Sequence, residues 1–299
     1  MTCQLESPTR LEPLEPLARA YLRCPGCTAA ELHESSDDPD ALLCGGCGAR
    51  FGRRDGILDL APPEDADDAR SDEDATQAHY WEEEEDVYRP YDHVVARGFA
   101  RQRAEFVRAN VPFDEIDSAI DVGAGNGMST HCLEDDVETI FSLDYSRRLL
   151  TQSPARLRMR GDAYRLPFRD NSVDLVYSWE LLHHVHQPRT VLAEMCRVAR
   201  KYVYFFEPNR WNPAQIAFAT VSKHDRACLR NSRGYFATEI AEAGLEIVRH
   251  RCVGWFTPNV PPVWLYRVLE VFPFEMPGIG LSHFFLLRCP DGEATGDPS

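Results

Sequence analysis

The residues with the most chemical content are Asp121-Val122-Gly123-Ala124-Gly125-Asn126-Gly127, which follow a short apolar run and precede a helix-like segment. Glycines at alternate positions let a chain turn sharply out of a strand and approach a ligand where any Cβ would collide. A turn of this kind holds a nucleoside-bearing cofactor. Its spacing narrows the choice. A dinucleotide fingerprint begun at Gly123 would need a glycine where Met128 stands, and a P-loop would need a Gly-Lys-Ser/Thr ending that is absent. A second reactive set lies earlier. Cys24-Pro25-Gly26-Cys27 and Cys44-Gly45-Gly46-Cys47 are two C-x-x-C knuckles with 16 residues between them, the spacing of a four-thiolate zinc site. Four thiolates close the coordination sphere, so Cys24, Cys27, Cys44 and Cys47 are expected to hold a structural Zn2+. A thioredoxin-like redox role would explain one knuckle but not the second, and no βαβ pattern precedes it. Cys3, Cys132, Cys196, Cys228, Cys252 and Cys289 are scattered and read as packing residues.

The glycine turn and the segments after it resemble the class I, Rossmann-like S-adenosylmethionine-dependent methyltransferases of the methyltransferase type 11 kind. Thr139-Ile140-Phe141-Ser142-Leu143-Asp144 reads as a second strand ending in an acid about 20 residues past the turn, where a carboxylate accepts ribose hydroxyls. Gly161-Asp162-Ala163-Tyr164-Arg165-Leu166-Pro167-Phe168 is similar to the family's adenine-side loop, in which the Asp contacts the adenine amino group. Asp170 to Ser178, followed by Leu182-His183-His184-Val185, is similar to the family's fourth strand and the segment lining the methionine and acceptor side. The resemblance therefore implies cofactor contacts from Asp121, Val122, Gly123, Ala124, Gly125, Gly127, Asp144, Tyr145, Asp162, Ala163, Ser178 and Trp179. Singly, Asp144 and Asp162 would pass for cap or turn residues. Four segments in family order would not.

Methyl transfer from a sulfonium is an in-line displacement, needing the acceptor atom at about 3 to 3.5 Å and water excluded. For an acceptor that must lose a proton, the catalytic candidates are Glu180, His183 and His184, with His186 nearby. The competing reading has these histidines shaping the pocket. The run from Trp255 to Phe274 is markedly aromatic and apolar. It reads as a lid over a small-molecule or lipid-like acceptor, or as a helix packed on the sheet or at a dimer interface. Two alternatives stand beside the small-molecule reading. One is an RNA methyltransferase, since rRNA guanine methyltransferases also resemble a zinc module joined to this fold; Arg53, Arg54, Arg156, Arg158 and Arg160 are the arginines that could converge. The other is a non-catalytic scaffold that keeps the fold and recruits a partner through the ribbon.

These side chains need an α/β frame to place them. Apolar runs at Ser118–Val122, Thr139–Leu143, Leu157–Arg160, Val173–Ser178 and Tyr202–Glu207 alternate with helical patterns at Val94–Asn110 and Arg189–Arg200. Gly234–Ala243 reads as a helix stopped by Gly244, and Leu245–Arg251 and Phe284–Cys289 as a last antiparallel pair. The expected architecture is a doubly wound seven-stranded methyltransferase sheet carrying a small N-terminal zinc ribbon. Ile57, Leu58 and Leu60 are expected to complete the ribbon's own sheet. The domain division is residues 1–60 ribbon, 61–78 acidic linker, 79–290 methyltransferase and 291–299 disordered tail. In the segment before the Val94 helix, structure is expected to resume at Tyr80-Trp81-Glu82; the family resemblance implies that this N-terminal helix closes over the cofactor pocket, while Tyr88 and Tyr91 are read as packing residues. The Pro-Gly-Gly turn common in the family before the fifth strand is missing, with Arg197 to Tyr202 in its place.

Among 299 residues the net charge is −16, and lysine occurs only as Lys201 and Lys223. Acid excess argues against phosphate binding, although here the balance resembles cytosolic proteins of salt-accumulating halophiles. With no apolar run of transmembrane length and no signal-like start, the expected location is the cytoplasm.

Overall fold

The computed structural model describes residues 12–28, 31–61, 82, 89, 93–221, 226–256 and 261–290. Cys3, Tyr80, Trp81, Tyr88, Tyr91, all of the acidic linker but Ala61, and the 291–299 tail lie outside the described residues.

The chain opens with α1 (Leu14–Tyr21) and four short strands, β1 (Leu32–Ser35), β2 (Asp38–Cys44), β3 (Arg50–Arg54) and β4 (Ile57–Asp59). Helix α2 (Val94–Asn110) precedes β5 (Ser118–Val122), α3 (Met128–Leu133), β6 (Thr139–Asp144), α4 (Arg147–Gln152), β7 (Leu157–Arg160) and β8 (Val173–Trp179). Then come α5 (Pro188–Val198), β9 (Ala199–Pro208), α6 (Pro213–Val221), α7 (Arg233–Glu242), β10 (Glu246–Val253), α8 (Val263–Leu269) and β11 (Ser282–Arg288).

All eleven strands form one sheet, in the order β1-β2-β3-β4-β7-β6-β5-β8-β9-β11-β10. The expected count of seven is corrected to eleven, because β4 pairs on both sides. It runs antiparallel to β3 and parallel to β7, with Leu58 opposite Met159 and Asp59 opposite Arg160. The Leu60 amide extends the seam by donating to the Arg160 carbonyl at 2.8 Å. Ile57 and Leu58 are therefore buried between two parts of the chain, which is why an apolar triplet follows a turn there.

One apolar core runs through Leu42, Phe51 and Leu58 into Ile120, Phe141 and Phe168. The opposite face is filled from α2, with Phe106 edge-on to Phe284 at 5.0 Å between ring centroids. Burying such side chains contributes roughly 1.5–3 kcal/mol each.

Helix α5 ends at Val198, two residues before the expected stop, because Asn171 and Ser172 donate their amides to the Arg197 and Val198 carbonyls. The chain then passes straight into β9 at Ala199, with no glycine turn. Helix α7 ends as its sequence suggests, at Gly244 with φ +81°. Among the described residues no helix is long and apolar enough to cross a membrane.

Candidate active site

Four parallel strands, β7-β6-β5-β8, deliver the candidate residues to one rim of the sheet. Strand β5 is buried along its whole length, and the chain leaves it through Gly123, Gly125 and Gly127, all left-handed at φ +72°, +56° and +74°. The Gly123 and Ala124 amides both donate to the Leu143 carbonyl, at 2.8 and 3.0 Å, so the turn folds over the end of β6. A Cβ at Gly127 would lie 1.9 Å from Ser153 Oγ, and one at Gly123 would lie 2.8 Å from Leu181. Only glycine fits that backbone.

Asp144 ends β6 against this turn. Its Oδ2 accepts from the Gly125 amide at 2.7 Å and its Oδ1 from the Ser146 amide at 2.8 Å. Burial pushes this carboxyl up to about 6; the two amides oppose the rise and the Glu82 carboxylate adds to it. The glycine cradle with an acid at its lip fits a nucleoside ribose, since a carboxylate at that place accepts hydroxyl protons. Val122 and Ala124 are buried in the floor of the turn.

Asp121 lies beneath the turn rather than at its surface. It is wholly buried, and its Oδ2 accepts from the hydroxyls of Ser129 and Thr130, tying the start of α3 to the end of β5. Burial raises it to about 7.

At the next strand end, buried Asp162 accepts from the Tyr164 amide at 2.9 Å and closes a tight turn, with Ala163 partly buried beside it. The Tyr145 ring sits 5.1 Å under the Arg160 guanidinium, whose Nε donates to the Tyr145 carbonyl. Ser178 is buried at the end of β8, its Oγ without a hydrogen-bond partner among the described residues, and Trp179 Nε1 donates to the Tyr204 hydroxyl at 3.3 Å.

The structure brings the acceptor-side candidates into an ion network. Glu180 sits at φ +64°, a backbone region costly for a side chain. Its Oε1 accepts from Arg103 and from Ser282 Oγ. Burial works to raise this carboxyl, but the Arg103 and His183 charges and the hydrogen bonds from Arg103 and Ser282 together outweigh it and hold Glu180 below its usual range. Buried His183 hydrogen-bonds Glu207 through Nδ1 at 2.8 Å and also meets the Cys228 thiol. Burial opposes its charge, yet Cys228 and Glu207 drive its pKa well up. The His184 ring lies 3.8 Å from that of His183. A carboxylate held ionised by a guanidinium is a weak base, and so is a histidine held protonated. These residues set the charge and shape of this part of the rim. Although Glu180, His183 and Glu207 lie close enough to hold a metal, both Glu207 oxygens are already taken, by the Leu182 and His183 amides and the imidazole.

Arg103, Ser282, Glu207 and Cys228 were missed from sequence. For Arg103 a signal exists: it falls on the same helical stripe as Ala96, Phe99, Ala100 and Val107, where a charge is out of place unless paired.

In the N-terminal module the four cysteine sulfurs gather within 4.8 Å of one another. Cys24 and Cys47 are 3.7 Å apart and Cys27 and Cys44 3.5 Å, close to the edge of a tetrahedron with metal–sulfur bonds of about 2.3 Å. The Gly46 and Cys47 amides point at the Cys44 sulfur. Burial alone would raise that thiol, but the amides bring it down to about 6. The donor set fits Zn2+.

The N-terminal module also braces the 161–169 loop. Arg23 N donates to Pro167 O, Arg169 N to Tyr21 O, and Arg165 Nη1 to Pro25 O, so the 161–169 loop is held from outside.

Comparison with known proteins places this geometry. Residues 120–206 match the family profile described as a methyltransferase domain. The chain is 28% identical over 177 residues to an uncharacterized chloroplastic methyltransferase of Arabidopsis thaliana, covering 52% of this chain and 50% of that protein. It is 38% identical over 85 residues to the demethylmenaquinone methyltransferase of Renibacterium salmoninarum, covering 27% and 36% respectively. The chain thus spans half or less of these relatives' lengths. Its fold is similar to that of a S-adenosylmethionine-dependent methyltransferase of Thermotoga maritima, with TM-score 0.53 at 18% identity, over 66% of this chain and 91% of the other. The profile match at residues 120–206 thus lies within an α/β fold similar to that of an S-adenosylmethionine-dependent methyltransferase.

Proposed function

We propose that the protein is an S-adenosylmethionine-dependent methyltransferase acting on a small, lipid-like acceptor, with a structural Zn2+ in its N-terminal ribbon. The observation that carries the reading is the glycine cradle closed by Asp144: three left-handed glycines and an inward carboxylate at one strand rim. S-adenosylmethionine, when bound, supplies a methyl group on a sulfonium. In this reading Asp144 accepts the ribose hydroxyls, Asp162 and Ala163 border the adenine, Tyr145 flanks it, and Ser178 and Trp179 line the methionine end. Arg103 and Glu180 fix the charge near the methyl group, and the rim excludes water.

The lipid-like acceptor is supported by α8 and the residues after it, which leave Trp264, Val268, Val271 and Phe272 exposed beside the buried Tyr266. Thr257–Val260 of that insertion lie outside the described residues. The likeness to a demethylmenaquinone methyltransferase points the same way. For RNA the support is thinner. Arg158 and Arg160 are engaged along the ribbon seam, with the Asp55 carbonyl and with Asp59, and the chain is strongly acidic. The reading includes a cytoplasmic, salt-adapted protein divided at residues 60, 78 and 290.

Calorimetry with S-adenosylhomocysteine in molar KCl tests it. Binding weakened on the order of 10- to 100-fold by Asp144→Ala is expected, since a charge-assisted hydrogen bond contributes about 1.5–3 kcal/mol. Absence of binding to folded wild-type protein would reject the reading in favour of a scaffold. Labelled methyl groups appearing in RNA rather than in a lipid extract would replace the acceptor class.

A further inference from the structure

The sheet edge farthest from the ribbon carries donors that methyl transfer does not use. Strand β10 is outermost, and it pairs antiparallel with β11 so that Cys252 faces His283 while His250 faces Phe285. Side chains two apart on a strand share a face, so His250, Cys252 and His283 project from one side, where Phe236 of α7 packs near His283. His250 Nε2 is 3.0 Å from His283 Nδ1, and Cys252 Sγ is 3.5 Å from the same nitrogen. One ligand atom from each lies within 4.8 Å of the other two.

Those spacings have a meaning. A tetrahedral ion with nitrogen bonds of about 2.0–2.1 Å and a sulfur bond of about 2.3 Å sets its donors about 3.3 Å (nitrogen to nitrogen) and about 3.6 Å (nitrogen to sulfur) apart. The cluster is within a few tenths of an ångström of both. Without an ion it is badly matched. His283 Nδ1 carries either one proton or one lone pair, so it cannot fully satisfy the imidazole and the thiol that both approach it. A metal takes a lone pair from each.

The surroundings suit ligation. The Gly278 backbone hydrogen-bonds the Cys252 sulfur, as the Gly46 and Cys47 amides do the Cys44 sulfur in the ribbon. The charges facing the cluster are Arg233, exposed at the start of α7, Arg251 on β10, and Glu180 across from His283.

We infer that His250, Cys252 and His283 form a second metal site, three-coordinate from the protein, for a borderline-soft divalent ion such as Zn2+. Half-buried His250 leaves the fourth position open to water. Binding releases the Cys252 proton to solvent, so the bound centre carries one net positive charge. Softness selects the ion: one thiolate and two imidazoles favour zinc over magnesium or calcium.

The test is metal content of the full chain, stripped under reducing conditions, reloaded with Zn2+ and desalted, with S-adenosylhomocysteine binding or circular dichroism reporting the fold. His250→Gln, at the half-exposed edge, and Cys252→Ser are each expected to hold one fewer ion per chain than wild type. Cys47→Ser should leave that ion in place, which separates this site from the ribbon. With Co2+, the ion lost from the two edge variants should show absorption of a centre with one thiolate. Arg233→Gln should tighten it several-fold by removing a cation that faces both histidines. Equal metal content in wild type, His250→Gln and Cys252→Ser would overturn the inference.

Discussion

At the scale of single residues, the site depends on charges held where burial resists them. Asp144 has its carboxyl raised to about 6, and only the ionised form can accept two ribose protons. Affinity for S-adenosylhomocysteine should therefore be flat above about pH 7. Below pH 6 it should fall, approaching tenfold per pH unit as protonation competes with binding. Calorimetric titration across pH 5 to 8 reads this directly, and Asp144→Asn should flatten the profile at the weak end. Arg103 is the opposite case, a buried cation stacked 4.3 Å over the Phe99 ring and 4.6 Å over Phe206 while paired to Glu180. Arg103→Met leaves Glu180 without its partner on a left-handed backbone, and should cost about 3 kcal/mol in urea denaturation. Adding Glu180→Gln should restore part of that loss. A double variant no more stable than Arg103→Met alone would show that the ring contacts, not the ion pair, account for the cost.

At the scale of elements, β4 joins the two halves of the molecule. Its three residues pair with β7, and Ile57 and Leu58 pair also with β3, while Arg160 connects Asp59 of β4 to the Tyr145 carbonyl beside the glycine rim. With Zn2+ held by Cys24, Cys27, Cys44 and Cys47 as proposed, chelating it should thus reach beyond the N-terminal module. Treatment with a zinc chelator is expected to raise hydrogen exchange at the β7 amides and to weaken S-adenosylhomocysteine binding several-fold, because a ribbon of this size has little core without its ion. Unchanged exchange at β7 would mean that the seam holds without metal. The same element marks where sequence reading stops. Strands β5 and β7 and helix α2 begin and end at the expected residues, since each is a bounded run with its own periodicity. The glycine turn and Asp144 were legible for the same reason, being local signals at fixed spacing. The β4–β7 pairing joins residues about a hundred positions apart. Glu180 with Arg103 and Cys252 with His283 are likewise assembled only by the folded sheet; the apolar stripe around Arg103 signals a buried charge but does not name its partner.

At the scale of the whole molecule, the net charge of −16 is what remains of 48 acidic residues against 32 basic ones, only two of them lysine. Mutual repulsion opposes compaction and salt screens it, with a Debye length near 3 Å at 1 M against about 10 Å at 0.1 M. The melting temperature should accordingly climb from dilute buffer to molar KCl, and a salt-independent melt would remove this charge argument. The single sheet also has an order of assembly written into it. A ribosome releases residues 24–59 before it has made residues 157–160, so the knuckles and β4 can be in place while their parallel partner is still unsynthesised. For that interval the nascent ribbon presents an open strand edge, and the catalytic half closes upon it as it emerges. Under the proposed zinc binding, metal supply would then act during biosynthesis, with cells short of zinc accumulating aggregated chains rather than folded, metal-free protein.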